Sequence, residues 1–271
     1  MAWIVEFAAG SMVGSFLNVC IHRLPRDESV VHPRSRCPAC RHPIAWYDNI
    51  PLVSYAVLGA RCRHCREPIH WRYPLVEALT GALTVAILHR FGVTAVGVVY
   101  AMFVWALIAS SFIDFEHRII PDEISLGGLA FGLLVSLVVP QLHGTSVPWL
   151  AFARSLLGAV VGGGLLYGTG ALGTLIFRKE AMGGGDVKLL AMAGSILGWK
   201  LAVLTFFLAP LLALLPSLVI MFMTRSHEVP YGPFLAVGLL LSMFYGDYLI
   251  RISGLEETVH ILWWYIGWGK P

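Results

Sequence analysis

The sequence predicts an all-α polytopic membrane protein of about eight transmembrane helices, interrupted by one small polar insert on the cytoplasmic side. Three observations carry this. Only 13 % of the 271 residues are charged, against ~25 % in an average soluble domain. The apolar set reaches 57 % and the mean hydropathy is +0.74. One stretch, 21–73, is instead rich in Pro, Arg and His and holds four of the five cysteines. A water-soluble globule of this size could not cover its surface with so few charges. This excludes a soluble enzyme, a disordered chain and a nucleic-acid-binding domain.

A crossing helix needs about 20 mostly apolar residues. Eight stretches are candidates: 2–20, 74–89, 94–113, 124–139, 151–177, 187–197, 201–223 and 234–250. The first is not a cleavable signal, because it lacks a basic leading region and its positive charges follow it. The fifth is long enough to include an interfacial part. The sixth is short, and Gly198-Trp199-Lys200 after it reads as a tight turn or a kink. The chain divides into a first transmembrane helix (1–20), the insert (21–73), a membrane core (74–250) and a C-terminal tail (251–271).

Charge sets the orientation. Nine of the nineteen Lys and Arg lie between Arg23 and Arg72, and the positive-inside rule places them in the cytoplasm and the N-terminus outside. Threading eight spans from there puts fourteen basic residues inside and five outside. Merging two spans would reverse everything after them and weaken that bias.

Within the insert, Cys37-Pro38-Ala39-Cys40 and Cys62-Arg63-His64-Cys65 are separated by 21 residues. Two C-x2-C pairs at such a separation point to four thiolates, Cys37, Cys40, Cys62 and Cys65, closing a tetrahedral zinc site. Two disulfides are the competing reading, and a reducing cytoplasm opposes it. An insert this small has little core, so metal would supply much of its folding energy. With four cysteines available, His42, His64 and His70 are expected as surface groups or supports behind the ligands. Cys20, at the end of the first span, reads as a plain apolar residue. No phosphate-binding glycine loop is present, and the excess arginines suit anionic headgroups.

Five carboxylates lie in or beside the spans: Glu6, Glu77, Asp114, Asp186 and Asp247. Each costs roughly 2.5–3.5 kcal/mol at mid-bilayer and needs a reason. Snorkelling at a helix end serves for Asp247 and Glu6, while Glu77 is as readily structural as functional. Asp114 ends the third span and Asp186 opens the sixth after Gly183-Gly184-Gly185, and the threading puts both at the cytoplasmic boundary. Asp186 could simply cap its helix, but a second acid at the same depth favours chemistry. Two facing carboxyls share one proton over a wide pH range. The ionised member can activate water while the protonated one polarises a scissile carbonyl, as in aspartyl proteolysis.

Together these residues resemble the type IV prepilin peptidases, of the G-x-G-D group of membrane aspartyl proteases. The resemblance runs through Gly14-Ser15-Phe16-Leu17-Asn18-Val19, Arg23-Leu24-Pro25, the two C-x2-C pairs with Asn49-Ile50-Pro51 and Ser54-Tyr55 between them, 114–122, Gly183 to Asp186 with Lys188-Leu189-Leu190, and Tyr231-Gly232-Pro233-Phe234. It implies a bacterial inner-membrane enzyme, with 74–250 as its peptidase core. Such an enzyme removes the basic leader of prepilins and pseudopilins after a Gly at the cytoplasmic face. Many members then methylate the new N-terminal amine with S-adenosylmethionine. Carried over, Asp114 and Asp186 are the catalytic pair, with Asp122 a rival to Asp114. No methyltransferase site can be derived from the residues; the insert, 14–23 and Glu77 are its candidates. Glu116, Asp122, Glu123 and Glu180 could form a recess for the leader. Two alternatives stand beside this reading. One is a transporter relaying protons through its acids, with the zinc knuckle as a docking module. The other is a different G-x-G-D enzyme, such as a preflagellin or signal-peptide peptidase; the zinc insert favours the prepilin branch.

Overall fold

The computed structural model describes residues 1–179, 182–224 and 230–252. Each of the eight predicted spans is a helix: α1 (Ala2–Arg23), α3 (Arg72–Phe91), α4 (Ala95–His117), α5 (Asp122–Val138), α6 (Pro148–Phe177), α7 (Gly184–Leu197), α8 (Trp199–Thr224) and α9 (Gly232–Ile252). A one-turn helix, α2 (Val53–Val57), lies in the insert. All regular structure among the described residues is helical. Six of the eight long helices are long and apolar enough to cross a membrane. The other two, α5 and α7, have 17 and 14 residues.

The short α7 spans about 21 Å, less than the ~30 Å of a hydrocarbon core. It is wrapped by protein instead of lipid. It packs on α5 and α6, and Leu189, Leu190, Met192 and Ala193 on it are fully buried. Gly198 resolves the break after α7 as a tight turn, since its φ of +85° suits glycine and α8 begins at the next residue. At 30 residues, α6 is about 45 Å long, and its last residues, Leu175, Ile176 and Phe177, are exposed.

Small residues set the helix crossings, as expected where lipid and side chains are equally apolar. Gly158 of α6 and Gly194 of α7 meet so closely that a Cβ on either would strike the other's carbonyl oxygen. Ser155 Oγ adds a hydrogen bond to the Ser195 carbonyl oxygen at 2.6 Å. On the other side of the molecule α1 lies against α3, where a Cβ on Gly14 would come within 2.8 Å of Glu77 Cα. Helix α4 joins the two halves by packing on α1, α3 and α9, and Trp105 Nε1 donates to Thr84 Oγ1 at 2.9 Å.

The helix ends that the threading assigns to the cytoplasm gather at one end of the bundle. There Arg72 at the start of α3 pairs with Glu116 at the end of α4, and Lys188 of α7 pairs with Asp122 of α5. Turns assigned to the outside meet at the other end, where Arg154 Nη1 donates to the His143 carbonyl oxygen and His143 lies beside Gly198.

The α6–α7 crossing can be tested by one methyl group. Gly194→Ala sets that methyl against backbone, which cannot rotate away. It should destabilise the protein by about 1–3 kcal/mol, seen as a lower thermal midpoint of the detergent-solubilised chain. An unchanged midpoint would show that the helices separate at no cost.

Candidate active site and metal centre

Asp114 sits in the last turn of α4 and is buried, 7 % exposed. Carbonyl oxygens point out of a helix at this end, which disfavours a carboxylate. The compensation comes from α9, whose first residue, Gly232, donates its N–H to Asp114 Oδ2 at 2.9 Å. That amide is one of the donors a helix N-terminus leaves unpaired. A Cβ here would lie 2.8 Å from the same oxygen, so any larger residue would displace the carboxyl from this amide.

Asp186 approaches from α7. Gly183, not Asp186, takes the N-cap position, so the aspartate lies in the first helical turn and does not cap it. A Cβ on Gly185 would come within 3.0 Å of Ile120 Cβ. The glycine thus lets the start of α7 pack onto the link between α4 and α5. The result brings the Asp114 and Asp186 carboxyls within electrostatic reach of each other. Tyr231, just before α9, completes the group. Burial, reinforced by the negative charge of Asp186, pushes its phenol up to about 12.

Asp122 stands apart. It is exposed at the start of α5, with Oδ1 2.6 Å from Lys188 Nζ. Of the acids expected to form a leader recess, Asp122 and Glu116 are each engaged by a basic side chain. Glu123 is exposed, and Glu180 lies outside the described residues.

The insert folds as two copies of one knuckle. In each, the N–H of the first cysteine donates to a backbone carbonyl five residues on, Cys37 to His42 and Cys62 to Glu67. The residue after the second cysteine takes a left-handed backbone, Arg41 at φ +56° and Arg66 at φ +62°. The His42 and His64 rings lie with centroids 3.5 Å apart, tilted by 36°. Arg63 grips Asp48 through two hydrogen bonds of 2.6 and 2.8 Å, which holds the Asp48 carboxyl below its usual range. His70 accepts from the Arg72 N–H and lies over Trp71.

The four cysteine Sγ atoms lie within 4.8 Å of one another, and those of Cys37 and Cys65 are 3.8 Å apart. Four thiolates at ~2.3 Å from a tetrahedral ion are about 3.8 Å from each other, so the cluster fits such an ion. Backbone amides of Cys65 and His64 lower the Cys62 thiol to about 7, while desolvation and the neighbouring thiols push that of Cys65 up to about 12, so the four thiols do not ionise alike.

Two protein families match the chain along these two regions. Residues 8–91 match the Bacterial Peptidase A24 N-terminal domain, and residues 101–218 match the Type IV leader peptidase family. The prepilin leader peptidase/N-methyltransferase of Pseudomonas aeruginosa is 36 % identical over 89 % of this chain and 90 % of its own length. The chain belongs to the type IV leader peptidase family. Proteins of the same description from Legionella pneumophila and Myxococcus xanthus are 32 % and 42 % identical. The first match covers 98 % of this chain and 96 % of the relative, the second 74 % and 58 %. The chain thus spans little more than half the length of the Myxococcus protein. No solved structure matches. Membership makes the chain a membrane enzyme, a peptidase, and sets aside the transporter reading.

In this peptidase the Gly232 amide and Tyr231 were visible in sequence only as part of the Tyr231-Gly232-Pro233-Phe234 motif. A Gly-Pro pair at the head of an apolar run signals a helix start, but nothing local says which side chain that start will meet. Gly232→Ala should push Asp114 off its hydrogen bond, and should lower kcat for leader cleavage by about tenfold or more where that carboxyl takes part in the reaction. The measurement is turnover of a synthetic prepilin by purified protein with an unchanged thermal midpoint. Full turnover would show that Asp114 needs no fixed orientation.

Proposed function

We propose that the protein is an inner-membrane aspartyl peptidase that removes the basic leader of type IV prepilins and pseudopilins after a Gly. It also N-methylates the residue so exposed. In this reading the N-terminus lies outside and the active site faces the cytoplasm. What supports the reading is that Asp114, held by the Gly232 amide, lies within electrostatic reach of Asp186.

A pilin keeps its apolar N-terminal helix in the membrane while its leader projects, so the cut bond lies at the membrane boundary. The Asp114–Asp186 pair holds one proton between them, which belongs to the pair and not to either residue. The ionised carboxylate takes a proton from water as its oxygen attacks the scissile carbonyl. The protonated carboxyl donates to the carbonyl oxygen. Proton return to the departing nitrogen frees the new amine. The glycine before the bond lets the segment unwind, because a helix conceals its peptide bonds. Asp122, tied to Lys188 at the surface, takes no part.

Cys37, Cys40, Cys62 and Cys65 hold zinc as a structural ion, which stabilises the insert. S-adenosylmethionine, when bound, supplies the methyl group. The insert and the aspartate pair rest on different helices: α1 and α3 anchor the insert, whereas α4, α7 and α9 hold the aspartates.

Asp114→Asn and Asp186→Asn should each cut prepilin processing by ~10²–10⁴-fold with normal membrane insertion, whereas Asp122→Asn should process at the wild-type rate. Substantial processing by either of the first two would sink the pair.

Elemental analysis should find one zinc per chain, lost in a Cys37→Ser/Cys40→Ser variant. Replacing all four cysteines should reduce methylation more than cleavage, measured by mass spectrometry as the ratio of unmethylated to methylated mature pilin. Equal loss would make the insert a scaffold for the whole enzyme.

A further inference from the structure

A cavity of about 870 Å³ opens between the insert and the adjoining ends of α1 and α3. Small-molecule sites range over ~300–1,000 Å³, and the proposed cleavage chemistry does not use this one. Five arginines and five carboxylates line it. Arg63 and Asp48, and Arg72 and Glu116, are paired with each other, and the remaining charges of both signs suit a small ligand carrying both better than a purely basic leader peptide.

Two buried polar atoms in the lining have no protein partner. Asn18 is 2 % exposed. Its Nδ2 donates to the Tyr73 and Gly14 carbonyl oxygens at 3.1 and 3.3 Å, yet its Oδ1 accepts nothing. Arg72 is 7 % exposed, and its Nη1 is engaged by the Glu116 carboxylate while its Nε is unpaired. Buried polar atoms are rarely left so, and a pair in one cavity calls for a ligand that supplies a donor to one and an acceptor to the other. The Glu77 carboxyl stands in the same lining, fixed by the Leu52 N–H at 2.8 Å.

We propose that this cavity is the methyl-donor site and takes S-adenosylmethionine, an inference that rests on the methyl-transfer half of the proposed function. Arg72 Nε would hold the donor's carboxylate, Asn18 Oδ1 would accept from one of its N–H groups, and Glu77 would offer a counter-charge to its sulfonium. Glu116 sets this site against the cleavage site. It lines the cavity and lies two residues beyond Asp114, so at ~100° per residue the two sites flank opposite sides of the last turn of α4. The amine freed on one side crosses to the other. There its lone pair attacks the methyl carbon and a C–N bond forms. The C–S bond breaks with its electrons going to sulfur, leaving S-adenosylhomocysteine and a methylated ammonium.

The test is calorimetric titration of S-adenosylhomocysteine into the detergent-solubilised full chain, joined to ultraviolet cross-linking of radiolabelled S-adenosylmethionine and peptide mapping. Wild-type protein should bind. Arg72→Lys and Asn18→Leu should bind at least tenfold more weakly with their zinc content retained, and the label should fall within residues 15–77. Should either variant fail to fold, the label on wild-type protein decides alone. Wild-type protein that binds and methylates, but carries its label outside 15–77 or loses nothing in folded variants, would overturn the site and leave methyl transfer standing. Wild-type protein that neither binds nor methylates would overturn both.

Discussion

The hydrogen bond from the Gly232 N–H to Asp114 Oδ2 joins the end of one helix to the beginning of another. Each end lacks something: α9 begins with amides that have no acceptor, and α4 ends with a carboxyl in a place that disfavours negative charge. Pairing them satisfies both and fixes α9 against α4. Tyr231 is then carried to within electrostatic reach of Asp186. Without this contact the buried acid of α4 would lack its backbone donor; the packing of α9 on α8 and α4 brings the helix near, and the hydrogen bond fixes which atom of it meets Asp114.

The second aspartate depends on a different device. Helix α7 is too short to be held by lipid, and α6 and α5 position it. The contact of Gly158 with Gly194 lets backbone approach backbone, and the buried Ser155–Ser195 hydrogen bond adds direction. Interhelical bonds of this kind contribute roughly 0.6 kcal/mol on average in a membrane protein. Close packing over the whole crossing therefore outweighs the single bond. The pair of aspartates is thus held by a polar contact on one side and by glycine packing on the other.

The cysteine-bearing insert is attached to the same end of the bundle through few but specific contacts. Glu77 accepts from Leu52 in the linker between the knuckles, and Arg23 donates to the carbonyl oxygens of Ser29 and Pro33. Arg72, at the start of α3, binds Glu116 at the end of α4. These three buried or half-buried side chains connect the insert, the first two long helices and the helix that carries Asp114. Glu77, which the sequence left between structural and functional readings, has at least the structural role.

The apolar runs determined the eight long helices and their order, because a membrane span is a local property of about 20 residues. The cysteine spacing determined the cluster in the same way, since each knuckle is built from neighbours in the chain. The two aspartates were legible as acids of matching depth. Tertiary structure decided the rest. Asp122 and Asp114 share one polar stretch, and only folding placed Lys188 on the first and the α9 amide on the second. Glu116 and Asp122 looked free to receive a basic leader until Arg72 and Lys188, 44 and 66 residues away, paired with them. Hydropathy and spacing fix what lies along a helix and how deep. Which helix ends meet depends on where glycines let backbones touch, and that is settled only when the helices pack.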